Sequence, residues 1–183
     1  MLKAVKFGGS SVAGAAQFQK VREIVRSDPA RRVVVASAAG KRFSGDHKLT
    51  DLLYLCHAHL TYGVSCEEIL SEIEGRFVEI RDTLGLTMDV EGEFAALRAR
   101  LDRSFPVDAL VSRGEAFTSR LLAEYLGYTY VDAADCIFFS PDGRIDRQKT
   151  DEAIRRAAEA YGRIVIPGFY GSLPSGKLKV MSR

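Results

Sequence analysis

Tryptophan is absent from the sequence and cysteine is scarce, with three residues at irregular spacing. An odd number of scattered cysteines predicts no disulfide framework. Cys56 and Cys66 lie near His57 and His59, but without a CxxC pair they do not form a recognisable tetrahedral zinc site. The sequence also has no apolar run long enough for a signal peptide or a membrane span. We therefore expect a cytoplasmic protein without metal-ligating residues of its own.

An excess of charge of one sign is missing as well. Basic and acidic residues number 26 and 24, and the net charge is +2. The basic residues are scattered rather than gathered in a stripe, which argues against a nucleic-acid partner and against binding to a membrane surface. Hydrophobic residues make up 46% and charged residues 27% of the 183 positions, the balance of a globular domain with a substantial core.

Short β-branched segments alternate with amphipathic segments along the chain. The alternation predicts an α/β layered fold with a largely parallel sheet. Strands are expected at 2–7, 32–37, 128–133, 136–139, 164–166 and 177–181. Between them the apolar spacing predicts helices, among them one from about 50 to 62 capped by Thr50, one from about 91 to 103, and one capped by Thr150. Residues 65–68 have the form of a capping box, and 38–48 is expected to be a polar, flexible connection.

The first strand ends in a group of residues suited to binding an anion. Lys6 is followed by Gly8, Gly9 and Ser10. Adjacent glycines can adopt positive φ and let backbone N–H groups approach a ligand, while the lysine supplies the charge that phosphoryl transfer needs. The lysine precedes the glycines, which excludes a P-loop, and the spacing excludes a dinucleotide fingerprint. The alternative is a tight strand–helix turn with a solvent-exposed lysine.

Two further clusters fall at the start of a helix and at the end of a strand. In the first, Gly114 weakens the opening of a helix and so is expected to make room for a neighbour. Glu115 would then face inward and hold an ammonium group, or else it is an exposed residue of the first helical turn. The second cluster, residues 167–171, is a Pro-Gly turn at the carboxyl end of a buried strand, where open α/β sheets bind ligands, or an ordinary β-turn. Together the clusters predict a single cleft.

These motifs resemble those of the aspartokinases, within the amino-acid kinase superfamily. Residues 6–12, KFGGSSV, are similar to the family's opening K-F-G-G-[ST]-S-V, and 111–115 to its [VI]-S-x-G-E segment. Residues 167–171 resemble its G-F-x-G loop, and 180–183 resemble the approach to its R-G-G-S-D motif. The similarity follows the family's order along the whole chain.

The resemblance implies a three-layer α/β sandwich like that of carbamate kinase. It also implies that ATP and L-aspartate give 4-phospho-L-aspartate with Mg²⁺, the entry to lysine, threonine and methionine biosynthesis. Lys6 is the implied catalytic charge. The implied ATP phosphate-binding residues are Lys6, Phe7, Gly8, Gly9 and Ser10, and the implied aspartate-binding residues are Thr50, Glu115, Arg183 and Ser37.

The family's G-G-S-D residues, its adenine-binding half and its regulatory domains would all follow Arg183. We therefore expect residues 1–183 to be the N-terminal, amino-acid-binding part of a kinase domain, truncated and inactive alone. An unpaired strand edge near 178–181 is expected to favour self-association. Two alternatives stay open: another enzyme of the same fold, acting on acetylglutamate, glutamate or a nucleoside monophosphate, and a non-catalytic aspartate-binding or regulatory fragment.

Overall fold

A parallel β-sheet lies at the centre of the molecule, a computed structural model that describes residues 2–181. Its strands are β1 (Lys3–Phe7), β2 (Arg31–Ala36), β3 (Thr129–Tyr130) and β4 (Ile164–Pro167), in the spatial order β1-β2-β4-β3. The two inner strands carry the longest β-branched runs, as expected for strands that are covered on both faces. Because all neighbours are parallel, the carboxyl ends of the strands meet at one edge of the sheet.

The helices between the strands follow the apolar periodicity of the sequence. Their bounds are α1 (Ala15–Arg26), α2 (Leu49–Tyr62), α3 (Glu67–Leu84), α4 (Val90–Arg98), α5 (Val107–Val111), α6 (Arg113–Leu126), α7 (Ala133–Cys136) and α8 (Arg147–Tyr161). A 3-10 turn (Gly9–Val12) follows β1, and an antiparallel hairpin of β5 (Tyr170–Ser172) and β6 (Leu178–Val180) follows β4.

Two apolar clusters cover the two faces of the sheet. Val34 and Val165 belong to the larger cluster, which the buried side chains of α1 to α4 and α6 complete. Ile164 and Ile166 belong to the smaller one, with residues of α7, α8 and β5. Successive residues of β4 thus alternate between the two clusters. The predicted three-layer α/β architecture is confirmed.

Several local expectations are wrong. Residues 133–136 form a helix capped by the Asp132 carboxylate, so no strand spans 136–139. Thr150 does not cap α8, because Asp146 accepts from the Lys149 N–H instead. The helix expected from about 91 to 103 is α4, which ends at Arg98.

Two more corrections concern the ends of α2 and α3. Thr50 lies inside α2 after the N-cap residue Lys48, whose side chain makes no capping bond. The expected capping box at 65–68 does not form, since Cys66 is the N-cap of α3 without a side-chain hydrogen bond.

The expected last strand is β6, which pairs with β5 in the hairpin and not with the central sheet. The central sheet therefore does not end in an unpaired edge at 178–181, as was expected. Within residues 2–181, no helix combines the length and the apolar character that crossing a bilayer requires.

Candidate functional site

A cleft of about 620 Å³ opens at the carboxyl edge of the sheet. The segments that follow β1, β2 and β4 form its walls, together with the first turns of α2 and α6. Its lining residues are Lys6, Gly9, Ser10, Ser37, Ala38, Ala39, Gly40, Lys41, Lys48, Thr50, Glu115, Phe169 and Met181. Six of the residues predicted from sequence are therefore brought together in one concave site: Lys6, Gly9, Ser10, Ser37, Thr50 and Glu115.

Lys6 stands exposed near the end of β1, and the chain then turns through Gly8 into the 3-10 turn. The expectation of positive φ at the glycine pair is wrong, since Gly8 has φ −77° and Gly9 also lies outside the positive range. Gly9 is needed for close approach instead. A Cβ there would lie 3.0 Å from the Ala38 carbonyl oxygen, and the Gly40 N–H donates to the Gly9 carbonyl at 2.9 Å.

Glu115 occupies the first turn of α6 with 3% of its surface exposed, so it faces inward rather than into solvent. Gly114 makes this arrangement fit. A Cβ on Gly114 would lie 3.0 Å from the Ala38 Cβ and 3.1 Å from Leu53 Cδ1. The Thr118 hydroxyl accepts from the Ala39 N–H at 3.1 Å and fixes the segment after β2 on α6. A buried carboxylate thus lines the cleft, where a charged group needs a partner of opposite charge.

Thr50 and Ser37 complete the predicted set within the cleft. Thr50 is buried in the first turn of α2, and the Ser37 N–H donates to the Phe7 carbonyl at 3.1 Å, which ties the ends of β1 and β2 together. Phe7 turns its side chain into the core, and Gly8 is not among the cleft-lining residues. The prediction for Arg183 lies outside the described residues.

Sequence reasoning missed two lysines of the cleft, Lys41 and Lys48. Both lie within 38–48, the segment that was expected to be a polar, flexible connection, in which Gly40 and Asp46 are buried. The available signal was Lys48, which directly precedes the first turn of α2, a position that favours anions; Lys41 had no such signal.

Phe169 belongs to the predicted Pro-Gly turn at 167–171 and lines the cleft, but its backbone conformation is a feature that sequence did not reveal. Among the non-glycine residues that the structure describes, Phe169 alone has a positive φ, of 73°. The Tyr170 N–H donates to the Gly168 carbonyl at 3.0 Å, which makes a γ-turn of the strained kind around Phe169. The Met181 N–H donates to the Phe169 carbonyl at 2.7 Å and holds the turn against the end of the hairpin. Such strain is concentrated at ligand sites.

The charges of the cleft are unequal. Among the lining residues that the structure describes are three lysines, Lys6, Lys41 and Lys48, and one carboxylate, the buried Glu115. A ligand that matches this pattern carries one cationic group and several anionic ones, because the carboxylate can hold an ammonium while the lysines neutralise carboxylates or phosphates.

Comparison with known proteins agrees with this geometry. A model of the amino acid kinase family matches residues 1–182. Aspartokinase 3 of Bacillus subtilis (strain 168) is 35% identical over 198 aligned residues, which include 100% of this chain and 43% of that protein. The chain therefore spans less than half the length of this curated relative.

Solved structures resemble the fold over the same part. The crystal structure of Clostridium acetobutylicum aspartate kinase superposes with a TM-score of 0.93 at 39% identity, covering 98% of this chain and 42% of that one. E. coli aspartokinase III in complex with aspartate and ADP gives a TM-score of 0.80 at 22% identity, covering 100% of this chain and 44% of that one. At 22% identity, the likeness to the E. coli structure shows a shared fold.

Proposed function

This chain belongs to the amino acid kinase family, and from that premise we propose that it supplies the aspartate-binding part of an aspartate kinase. The reaction would transfer the γ-phosphoryl group of ATP to the side-chain carboxylate of L-aspartate, the entry step to lysine, threonine and methionine synthesis. The observation that carries the proposal is that the buried Glu115 lines one cleft together with three lysines. The resemblance to aspartate kinases in sequence and fold supports it.

In this proposal Glu115 accepts the substrate's ammonium group, and the hydroxyls of Ser37 and Thr50 contact its carboxylates. Lys6 lies at the strand end, where it neutralises negative charge on the oxygens of the transferring group. Gly9 and Ser10 open the 3-10 turn next to it and cradle the phosphates. Contacts of Phe7, Gly8 and Arg183 with the substrates remain predictions from the resemblance.

ATP suits the excess of positive charge in the cleft, and the E. coli relative binds ADP with aspartate. The residues that the structure describes do not form a Mg²⁺ site of their own. Protein-bound Mg²⁺ usually needs one or two carboxylates besides phosphate oxygens. Within residues 2–181 no group of three or more metal-binding side chains comes together, and Glu115 is the one carboxylate of the described cleft lining. We infer that the ion would arrive with the nucleotide.

We further propose that residues 1–183 form the amino-acid-binding part of the kinase domain, with the nucleotide-binding half and regulatory domains outside them. The relatives are more than twice as long, which supports this division. A cytoplasmic location and self-association also remain proposals. The three cysteines are buried free thiols, as is usual in a reducing compartment. Size-exclusion chromatography tests self-association.

The open alternatives differ in the ligand that they require. Acetylglutamate and nucleoside monophosphates carry no free ammonium group, and either would bury the Glu115 charge against a neutral or anionic partner. A free amino acid avoids that cost, and aspartate is the one that the resemblance favours. A non-catalytic aspartate-binding fragment would share the same contacts but would lack turnover in any assembly.

Isothermal titration calorimetry of the chain tests the substrate. We expect aspartate to bind and N-acetyl-aspartate, which lacks the ammonium group, to bind at least about tenfold more weakly, since it loses the charge-assisted hydrogen bond that the ammonium would donate to Glu115. Equal affinity for the two compounds would refute the role of Glu115 and favour the acetylated substrates.

Turnover is tested in a full-length protein that contains this chain, in a coupled assay with aspartate and Mg-ATP. Lys6→Ala is expected to lower kcat by about a hundredfold or more, with an unchanged melting temperature, because Lys6 is exposed and acts through charge. A variant that keeps more than about a tenth of wild-type kcat would contradict that role. Residues 1–183 alone are expected to show no turnover.

A further inference from the structure

Residues 38–48, which we call the cleft loop, form one wall of the cleft. They contribute Gly40, Lys41 and Lys48 to its lining. The loop contains no helix or strand, so no regular pattern of backbone hydrogen bonds fixes its shape. Its start is docked on α6 through Thr118, and the Leu49 N–H closes its ends by donating to the Ala39 carbonyl at 3.3 Å.

A buried arginine from another element reaches both ends of the cleft loop. Arg76 lies on α3 with 3% of its surface exposed. One terminal nitrogen, Nη2, donates to the Gly40 carbonyl at 2.5 Å, and the other, Nη1, donates to the His47 carbonyl at 2.7 Å. A guanidinium presents two nitrogens in a rigid fork to the two carbonyls, whereas a lysine presents a single nitrogen on a flexible stem.

Asp46, within the loop, completes the arrangement with 5% of its surface exposed. It accepts from the Arg42 N–H at 2.8 Å and from Arg42 Nε at 2.9 Å, and it lies 3.7 Å from Arg76 Nη2. The hydrogen bonds from Arg42 and the nearby Arg76 charge hold the pKa of Asp46 well below its usual range, despite its burial. The carboxylate therefore stays charged and pairs with both guanidinium groups.

A purely stabilising role explains these contacts poorly. A buried ion pair is often no more stabilising than apolar side chains of the same volume. Arg76 also leaves its Nε–H without an acceptor among the described residues, which adds a cost. The two hydrogen bonds that Arg76 makes go to backbone carbonyls of the cleft loop, so what the pair secures is the shape of that wall.

We propose that Arg76 and Asp46 are positioning residues, which hold the cleft loop so that Lys41 and Lys48 face the anionic groups of the substrates. The Gly40 carbonyl that Arg76 holds belongs to the same residue whose N–H bonds Gly9, so the loop also sets the place of the turn after Lys6. The assignment of the ligand rests on the proposed function, but the restraint of the loop does not.

The central experiment compares Arg76→Lys with a matched control, Arg81→Lys. Arg81 lies on the same helix, and its carboxylate partners Asp82 and Glu91 are exposed and are not among the cleft-lining residues. Three quantities are measured for each protein: the aspartate dissociation constant, the melting temperature, and the rate of tryptic cleavage after Lys41. Cleavage after Arg156, which is exposed on α8, serves as the internal reference for global unfolding.

We expect Arg76→Lys to weaken aspartate binding by about tenfold and to accelerate cleavage after Lys41 by about tenfold relative to Arg156, as the loss of one charge-assisted hydrogen bond predicts. Arg81→Lys should leave the affinity and the cleavage ratio unchanged. Asp46→Asn should reproduce both effects, and it takes the place of Arg76→Lys if that variant does not fold.

A fall in melting temperature with an unchanged dissociation constant and an unchanged cleavage ratio would show that the pair only stabilises the fold, and the proposal would be refuted. If the wild-type chain binds no aspartate, the proposed function fails, and the cleavage ratio then decides the loop's restraint alone. An unchanged ratio in both variants refutes the inference whatever the ligand is.

Discussion

Replacing Gly40 with alanine places a methyl group against the backbone of a different loop. The added Cβ would lie 2.6 Å from the Gly9 carbonyl carbon, 2.8 Å from the Gly9 oxygen and 2.9 Å from the Ser10 nitrogen. Carbon atoms in contact lie about 3.5–4.0 Å apart, so the two loops must separate by roughly 1 Å. The neighbours are main-chain atoms, which cannot rotate away as a side chain could.

The expected cost in stability is that of overpacking, about 1–3 kcal/mol. In a protein of this size each kcal/mol lowers the melting temperature by roughly 2–4 °C. The expected loss of function is larger, because a displacement of about 1 Å at a site can reduce activity by about a hundredfold. We therefore expect Gly40→Ala to fold with a moderately lowered melting temperature and to lose most of its aspartate binding.

Differential scanning fluorimetry and calorimetric titration measure the two effects. Gly75→Ala is the control for the substitution itself: Gly75 lies within α3 with nothing within 4 Å of the added Cβ, so stability should rise by about 0.5–1 kcal/mol. Gly8→Ala, with nothing within 4 Å and φ −77°, should not lose stability. A Gly40→Ala protein as stable and as active as wild type would refute the close approach of the two loops.

Three further predictions concern single side chains. In steady-state assays of the longer protein, Glu115→Gln should raise the KM for aspartate and leave that for ATP nearly unchanged, because in the proposed role the carboxylate contacts one substrate; equal changes would indicate a folding defect. Asp46→Asn should lower the free energy of unfolding at neutral pH and lower it less in acid. Because the pKa of Asp46 is lowered in the fold, the contribution of its carboxylate is present above about pH 4 and is lost as the pH falls below that value. Chemical denaturation at several pH values measures this dependence. Tyr170→Phe removes the buried hydroxyl that donates to Asp132 at 2.9 Å, so we expect a loss of about 1–3 kcal/mol, against almost none for Tyr161→Phe, whose ring is 59% exposed.

The sequence by itself determined the elements whose signals are local. The β-branched run of β2 and the spacing of Phe18, Val21 and Val25 in α1 are periodic patterns that depend only on near neighbours. The position of Glu115 was also accessible, because the glycine before it predicted a close packing partner at the start of a helix. Parallel strands then brought the motifs to one edge of the sheet.

Contacts between distant segments were decided only by the tertiary structure. Thr50 has the sequence signature of a helix cap, yet the fold buries it in the cleft wall, since the Leu49 N–H already bonds Ala39. Gly9 appeared to need conformational freedom and in fact needs space for Gly40. The polar composition of 38–48 predicted a flexible segment. In the fold, Arg76, a buried residue of the later helix α3, donates hydrogen bonds to the Gly40 and His47 carbonyls of this segment. No local pattern could predict that contact, because the two segments lie far apart in the sequence.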